Sequence, residues 1–367
     1  MRSDIIRINC TGDIMLGDQY LSLGFGVRSV YDGRYGALIP SPAIRTYLRD
    51  ADLFIGNLES SFHDQEGTPT VAAALAANEG AIDFLKDIGL THACLANNHA
   101  LEYGPHSLHQ LEETLGDRGI AVLGTARNAA CHIGDGSAGV AVLAYTMVPD
   151  YKNTSDILLW QGEATLKEIE KTAKEARYTI VYVHWGNEFI STPSAEQVQI
   201  GRSMIRAGAR AVIGCHPHVL QPIERFEGGI IAYSLGNFIF DSYSAATFPS
   251  IILRLVMDPS RNTIDYEYLP LQAEEDYSLR VASEPEALEI ARILNAPVQT
   301  IDAGEYALLA QLIRNQYRTA SVKHILGNLL RYHDKRGLSA WLTKRALLVL
   351  KNYRQERTDP SAVYKWH

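Results

Sequence analysis

Short apolar runs rich in Val, Ile and Ala alternate with amphipathic stretches through most of this chain, and that alternation admits few folds. "DIIRINCTGD" reads as a strand, "SPAIRTYLRDA" as a helix with Ser41 as cap and Pro42 in its first turn. "DLFIGNLE" is strand, "GAIDFLKDIG" helix, "HACLANN" strand, "GPHSLHQLEETLGDRG" helix, then "IAVLG" and "GVAVLAYT" are strands. "GEATLKEIEKTAKEAR" keeps its apolar positions in helical register, "YTIVYVHWG" is strand, "SAEQVQIGRSMIRAG" helix and "ARAVIGCH" strand. Three further strand-like runs follow, "GIIAYSLGNFIFD", "PSIILRLVMD" and "TIDYEYLPLQ", and from about residue 283 the pattern is wholly helical. Strand and helix alternating, then strand after strand, predicts a layered α/β body with two sheets, one of them partly antiparallel. A helical C-terminal appendage follows it.

Composition narrows the class. With 367 residues and 46% hydrophobic residues, the chain forms one large domain or a domain plus an appendage. Its four cysteines, Cys10, Cys94, Cys131 and Cys215, have neither disulfide-framework nor metal-ribbon spacing, which predicts reduced thiols and a cytoplasmic protein. No signal segment and no membrane span are expected, since no apolar run approaches the roughly 20 residues a span needs. The net charge of −8 argues against a nucleic-acid partner. Between Tyr317 and Arg357 the balance reverses, with only Asp334 and Glu356 opposing the lysines and arginines. Such a run reads as a basic helix docked on an acidic body, or as a positive rim that draws in an anionic substrate.

Ligands of layered α/β proteins bind beyond the carboxyl ends of the strands. At those ends stand Asp13, Asn57 with Glu59, Asn97 with Asn98 and His99, His184, and His216 with His218. Singly each has an ordinary explanation: a cap or turn for Asp13, turns for the asparagines, a satisfied core imidazole for His184. The pair in "GCHPHVLQPIE" is harder to explain so, because i and i+2 side chains of an extended segment share a face. Together, oxygens and imidazoles from five strand ends predict a divalent transition-metal site suited to Mn, Fe or Zn. "GFGVRSVYDGRYG", with Arg28, Tyr31 and Arg34, is either a loop that closes over an anionic substrate or a surface excursion.

"TGDIMLGD", "IGNLESSF", "LANNHALEYG", "VHWGNE", "GCHPHVLQPIE" and "YSLGNFIFD" occur in the order seen in CapA-type proteins. Over about residues 1–260 the chain thus resembles the poly-γ-glutamate capsule biosynthesis proteins, built on the calcineurin-like metallophosphoesterase fold. The resemblance implies a four-layer α/β/β/α sandwich of two mixed sheets over residues 1–280, with residues 281–367 as the helical C-terminal region. It also implies two metals about 3.5–4 Å apart. By that pattern Asn98, His184 and His216 bind one metal, Asp13 and His218 the other, and His99 protonates the leaving group. Where the family pattern has a histidine and a bridging aspartate, this chain has Met15 and Asn57, so Glu59 is expected to supply the bridging carboxylate. One tight and one weaker metal site follow. Glu188 is expected to orient a ligating imidazole, Asn237 to stabilise a turn near the site, and Cys215 to lie beside the metals without binding them.

Two functions fit. In one, a metal-bound water or hydroxide attacks a phosphoester, or a γ-glutamyl amide of an anionic small molecule or polymer. In the other, the protein is a non-catalytic metal-binding accessory of a capsule or poly-γ-glutamate synthesis complex. Oligomeric state leaves no trace in the sequence.

Overall fold

The computed structural model describes residues 5–19, 22, 24–63, 74–133, 139–148, 155–299 and 301–331, with side chains as far as Tyr317 in the last stretch. The first sheet has the order β16 (Leu279–Val281), β15 (Thr263–Ala273), β14 (Pro249–Asp258), β1 (Ile6–Ile14), β2 (Leu53–Leu58), β5 (His92–Cys94), β6 (Ala121–Leu123), with β13 (Asn237–Ile239) also beside β1. β1, β2, β5 and β6 are parallel, while β14, β15 and β16 continue the sheet antiparallel. The second sheet runs β11 (Ile223–Phe226), β12 (Gly229–Ala232), β10 (Ala211–Cys215), β9 (Tyr178–His184), β8 (Val140–Thr146), β7 (Ala130–Ile133), parallel from β8 to β12 and antiparallel at both edges. A two-stranded pair, β3 (Ser61–Phe62) and β4 (Ala76–Ala77), stands apart.

Both faces of the second sheet are buried, which is why its strands read as unbroken apolar runs. Along β9, Tyr178, Ile180 and Tyr182 enter the core between the sheets, while Val181 and Val183 enter a second cluster. The Tyr182 hydroxyl donates across the gap to the Ile55 carbonyl at 3.0 Å. Helices α5 (Glu163–Glu175) and α6 (Ala195–Arg206) cover the far face through Ile169, Val198 and Met204. The outer face of the first sheet is covered by α2 (Pro42–Arg49), α3 (Glu79–Asp87), α4 (Gly104–Asp117) and α7 (Glu284–Leu294), through Leu48, Leu85, Leu111 and Ile290 among others. The protein is therefore an α/β/β/α sandwich of two mixed sheets, completed by α1 (Val27–Tyr31) and the C-terminal α8 (Ala303–Arg331).

Several local expectations are corrected. "GIIAYSLGNFIFD" is not one strand: it breaks after Ala232, so β12 pairs in the second sheet and β13 in the first. The crossing turns at Gly236, whose φ of +67° favours glycine. Ser41 precedes α2, but its side chain makes no capping bond. The edge strands β7 and β11 sit in segments read as connections, because a half-exposed four-residue edge strand leaves little apolar signal. Of the basic run, residues 318–331 are described as helical backbone only and 332–367 lie outside the described residues. Among the described residues no helix is long and apolar enough to cross a membrane.

Candidate metal centre

The parallel strands deliver their carboxyl ends to one rim. Asp13 sits near the end of β1 at a bulge, paired with Asn57 of β2 on one side and Asn237 of β13 on the other. The preceding Gly12 is obligatory, since a Cβ there would lie 1.9 Å from the Gly236 carbonyl oxygen. Glu59 follows β2, Asn97–Asn98–His99 follow β5, His184 ends β9, and His216 and His218 follow β10. His216 and His218 have φ of +94° and +57°, and nearby Phe189 has +64°, conformations that non-glycine residues adopt only where the surroundings hold them.

These residues meet. Asn98 Oδ1 lies 2.7 Å from His184 Nε2, and the other ring nitrogen of His184 is 3.2 Å from Asn57 Nδ2. Asn57 Nδ2 donates to Asp13 Oδ1 at 2.7 Å, and Asp13 Oδ2 lies 3.2 Å from His218 Nδ1. The His216 amide donates to the Asp13 carboxylate at 3.1 Å, and the His184 and His216 rings are 4.6 Å apart. Two triads have ligand atoms within 4.8 Å of one another: Glu59 with His216 and His218, and Glu59 with Asp13 and His184. The triads cut across the sorting that the resemblance implies, and Glu59 is common to both.

Glu59 is the physical oddity. It is 1% exposed, neither carboxylate oxygen has a hydrogen-bond partner, and three imidazole nitrogens stand off from Oε1: His184 Nε2 at 3.7 Å, His99 Nε2 at 3.8 Å and His218 Nε2 at 3.9 Å. A buried carboxylate without hydrogen bonds is costly in any fold. The His184 and His218 separations exceed hydrogen bonds but suit groups that would share a cation, with His99 beside them. The donor set of carboxylates, an amide oxygen and imidazoles fits a divalent metal ion. Without a cation the charges are settled by protons. Burial pushes the Glu59 carboxyl well above its ordinary range and the Asp13 charge pushes it further. Burial alone would lower His218, but Glu59 and Asp13 outweigh it and hold the imidazole at about 10. For Asp13, burial is outweighed by the hydrogen bond and charge of His218, the charge of His184 and the Asn57 amide, leaving it below the usual range.

His99 stands at the edge of this cluster. Its Nδ1 lies 2.8 Å from Glu102 Oε1 and its carbonyl accepts from Ser61 Oγ at 2.5 Å, so ring and backbone are both fixed. Asn97 braces the turn: its Oδ1 accepts from the His99 amide at 3.1 Å and its Nδ2 donates to the Leu58 carbonyl at 2.9 Å. Asn237 does more than hold a turn, since its Oδ1 accepts from His218 Nδ1 at 2.9 Å while its Nδ2 donates to Ser242. That bond leaves Nε2 as the ring nitrogen facing Glu59. Glu188 is half-buried and adds negative charge near His218 and Glu59. Met15 packs with Ala74, Leu75 and Phe240, and Cys215 is a buried thiol pushed upward by burial. Arg28 is buried and donates to the carbonyls of His63 and Ala76, Tyr31 is buried, and Arg34 folds back on the Val30 carbonyl, so this segment is a packed part of the body. The sequence reading missed Glu102, signalled only by its i, i+3 spacing after His99.

Two facing mixed sheets, helices on both outer faces and this cluster at the carboxyl rim define an α/β/β/α sandwich protein with a candidate metal centre. More particularly, the chain belongs to the bacterial capsule synthesis family PGA_cap, whose sequence profile matches residues 7–242. It is 30% identical over 288 residues to the PGA biosynthesis protein CapA of Bacillus subtilis, covering 74% of this chain and 73% of that one. It is 28% identical over 291 residues to the capsule biosynthesis protein CapA of Bacillus anthracis, with 74% and 68% covered. Among solved structures it is similar to a phosphatase from Mycoplasma pneumoniae, at TM-score 0.46 and 12% identity, over 78% of this chain and 96% of that one.

Proposed function

We propose that this protein is a metal-dependent hydrolase or acyl-transfer enzyme acting on an anionic substrate. Asp13, Glu59, Asn98, His184, His216 and His218 would hold the divalent metal, one ion tightly and a second weakly. The observation that carries the reading is the buried Glu59 carboxylate, without hydrogen bonds and ringed by imidazoles. A divalent ion held there would supply Lewis acidity, activating water and offsetting charge that develops on the scissile group. Glu102 accepts from His99 Nδ1, and Nε2, 3.1 Å from Asn98 Nδ2, is the nitrogen that would take up a proton and, from the imidazolium, pass it to the departing group. Asn57 and Asn237 orient Asp13 and His218, and Asn97 keeps the His99 turn in place.

Two relatives named for PGA and capsule biosynthesis favour a glutamate-containing polymer or peptide, cleaved or transferred at a γ-glutamyl amide, over a phosphoester. Aryl phosphates and γ-glutamyl anilides with added manganese separate the two. Turnover by the wild type, lost by about 10²–10⁴-fold in His99→Ala with metal content unchanged, is the expected result. A wild type that binds metal yet turns over neither substrate class points to the accessory role.

A further inference from the structure

Helix α8 lies beyond the residues 7–242 matched to the family, yet it reaches the centre. Tyr306, Ala310, Ile313 and Tyr317 succeed one another at helical spacing on one face. Tyr306 and Ala310 are buried against Ile190, with Ile301, Leu309 and Ile313 packed around them. At the far end of this stripe the Tyr317 ring stacks on Phe189, centroids 3.7 Å apart and planes 10° from parallel. Its hydroxyl accepts from Ser244 Oγ at 3.3 Å, and Tyr243 meets the ring edge-on.

Phe189 in turn grips the histidine turn. Its amide donates to the Pro217 carbonyl at 2.7 Å, and its ring centroid lies 5.9 Å from that of His218, whose ring also neighbours Phe240 at 4.7 Å and His216 at 5.9 Å. Phe189, His216 and His218 all have left-handed backbone conformations, which persist only where packing over-determines them. We propose that Tyr317 is a positioning residue. Through its stack on Phe189 it holds the Pro217–His218 turn in the geometry that presents His218 Nε2 to a metal ion. This rests on reading His218 as a ligand.

The test uses the full chain with Mn(II) alone as probe, comparing wild type, Tyr317→Ala and Tyr317→Phe by equilibrium dialysis and by amide hydrogen exchange at Phe189. Tyr317→Ala is expected to weaken manganese binding about tenfold, the range for residues that orient ligands, and to speed exchange at Phe189 while the β9 and β10 amides stay protected. Tyr317→Phe keeps the stacked ring and is expected to match the wild type in both. A Tyr317→Ala protein with wild-type manganese affinity, or with unchanged Phe189 exchange, overturns the proposal. If the wild type takes up no manganese, the metal reading fails and His218 has no ion to be presented to, whatever the exchange data show. If the alanine variant does not fold, Tyr317→Leu, which fills the space without a flat ring, replaces it under the same criteria.

Discussion

Two buried polar clusters lie four residues apart along β1, and they are built on opposite principles. Around Asn9, the Arg254 guanidinium donates to Asn9 Oδ1 at 2.9 Å and to the Tyr47 carbonyl at 2.6 Å, reaches Asp50 and Glu267, and lies 3.7 Å over the Tyr47 ring. Asn9 donates to the carbonyls of Tyr47 and Leu48. Charge, donors and packing surface are all used there. Around Asp13, the Glu59 carboxylate has no hydrogen bond at all. The first cluster is a strut tying α2 to the sheet; the second leaves electron pairs aimed at a common point, which is what a site for a cation requires.

Stability measurements break the comparison most sharply. In chelated protein, Arg254→Ala is expected to cost about 3 kcal/mol, because it strands buried acceptors and removes the packed guanidinium. Glu59→Gln should change metal-free stability by no more than about 1 kcal/mol, since burial and the Asp13 charge already favour the protonated carboxyl, which the amide replaces as a neutral isostere. Urea unfolding checks both, and equal losses at the two positions would erase the distinction.

Protons give the next effect. Glu59 is raised by burial and by Asp13, and His218 is held at about 10 by the two carboxylates, so the metal-free centre carries protons at neutral pH. A cation must displace them, and affinity therefore falls as pH falls. One proton per ion makes the manganese affinity change about tenfold per unit between about pH 6 and 8, flattening above the His218 value. Titration calorimetry in buffers of different ionisation enthalpy counts those protons; a pH-independent affinity contradicts the charge account. The smallest effect belongs to Asn57→Asp, which sets a second carboxylate at the position now 2.7 Å from Asp13 Oδ1. Like charges so close should lower metal-free stability by about 1 kcal/mol and raise manganese affinity about fivefold, read by thermal melts with and without manganese.

The layered architecture was legible because burial of both sheet faces writes itself as apolar runs, seen in β8, β9 and β10. The strand-tip residues were legible for the same reason, since a polar residue after such a run marks the rim. What escaped depends on contacts between distant segments. The break between β12 and β13 follows from Gly236 meeting Gly12. The hold of Asn237 on His218 and of Tyr317 on Phe189 arises only once β13 and α8 are in place. The packing of α7 on the first sheet, through Ile290 and Leu294, is likewise invisible in its helical periodicity.

Manganese binding to wild-type and Glu59→Gln protein, followed by equilibrium dialysis at neutral pH, puts the central claim to the most direct trial. The wild type should take up the ion, and the isosteric amide should weaken it at least about a hundredfold while the fold stays intact. Equal uptake by the two proteins, or none by the wild type, contradicts the account.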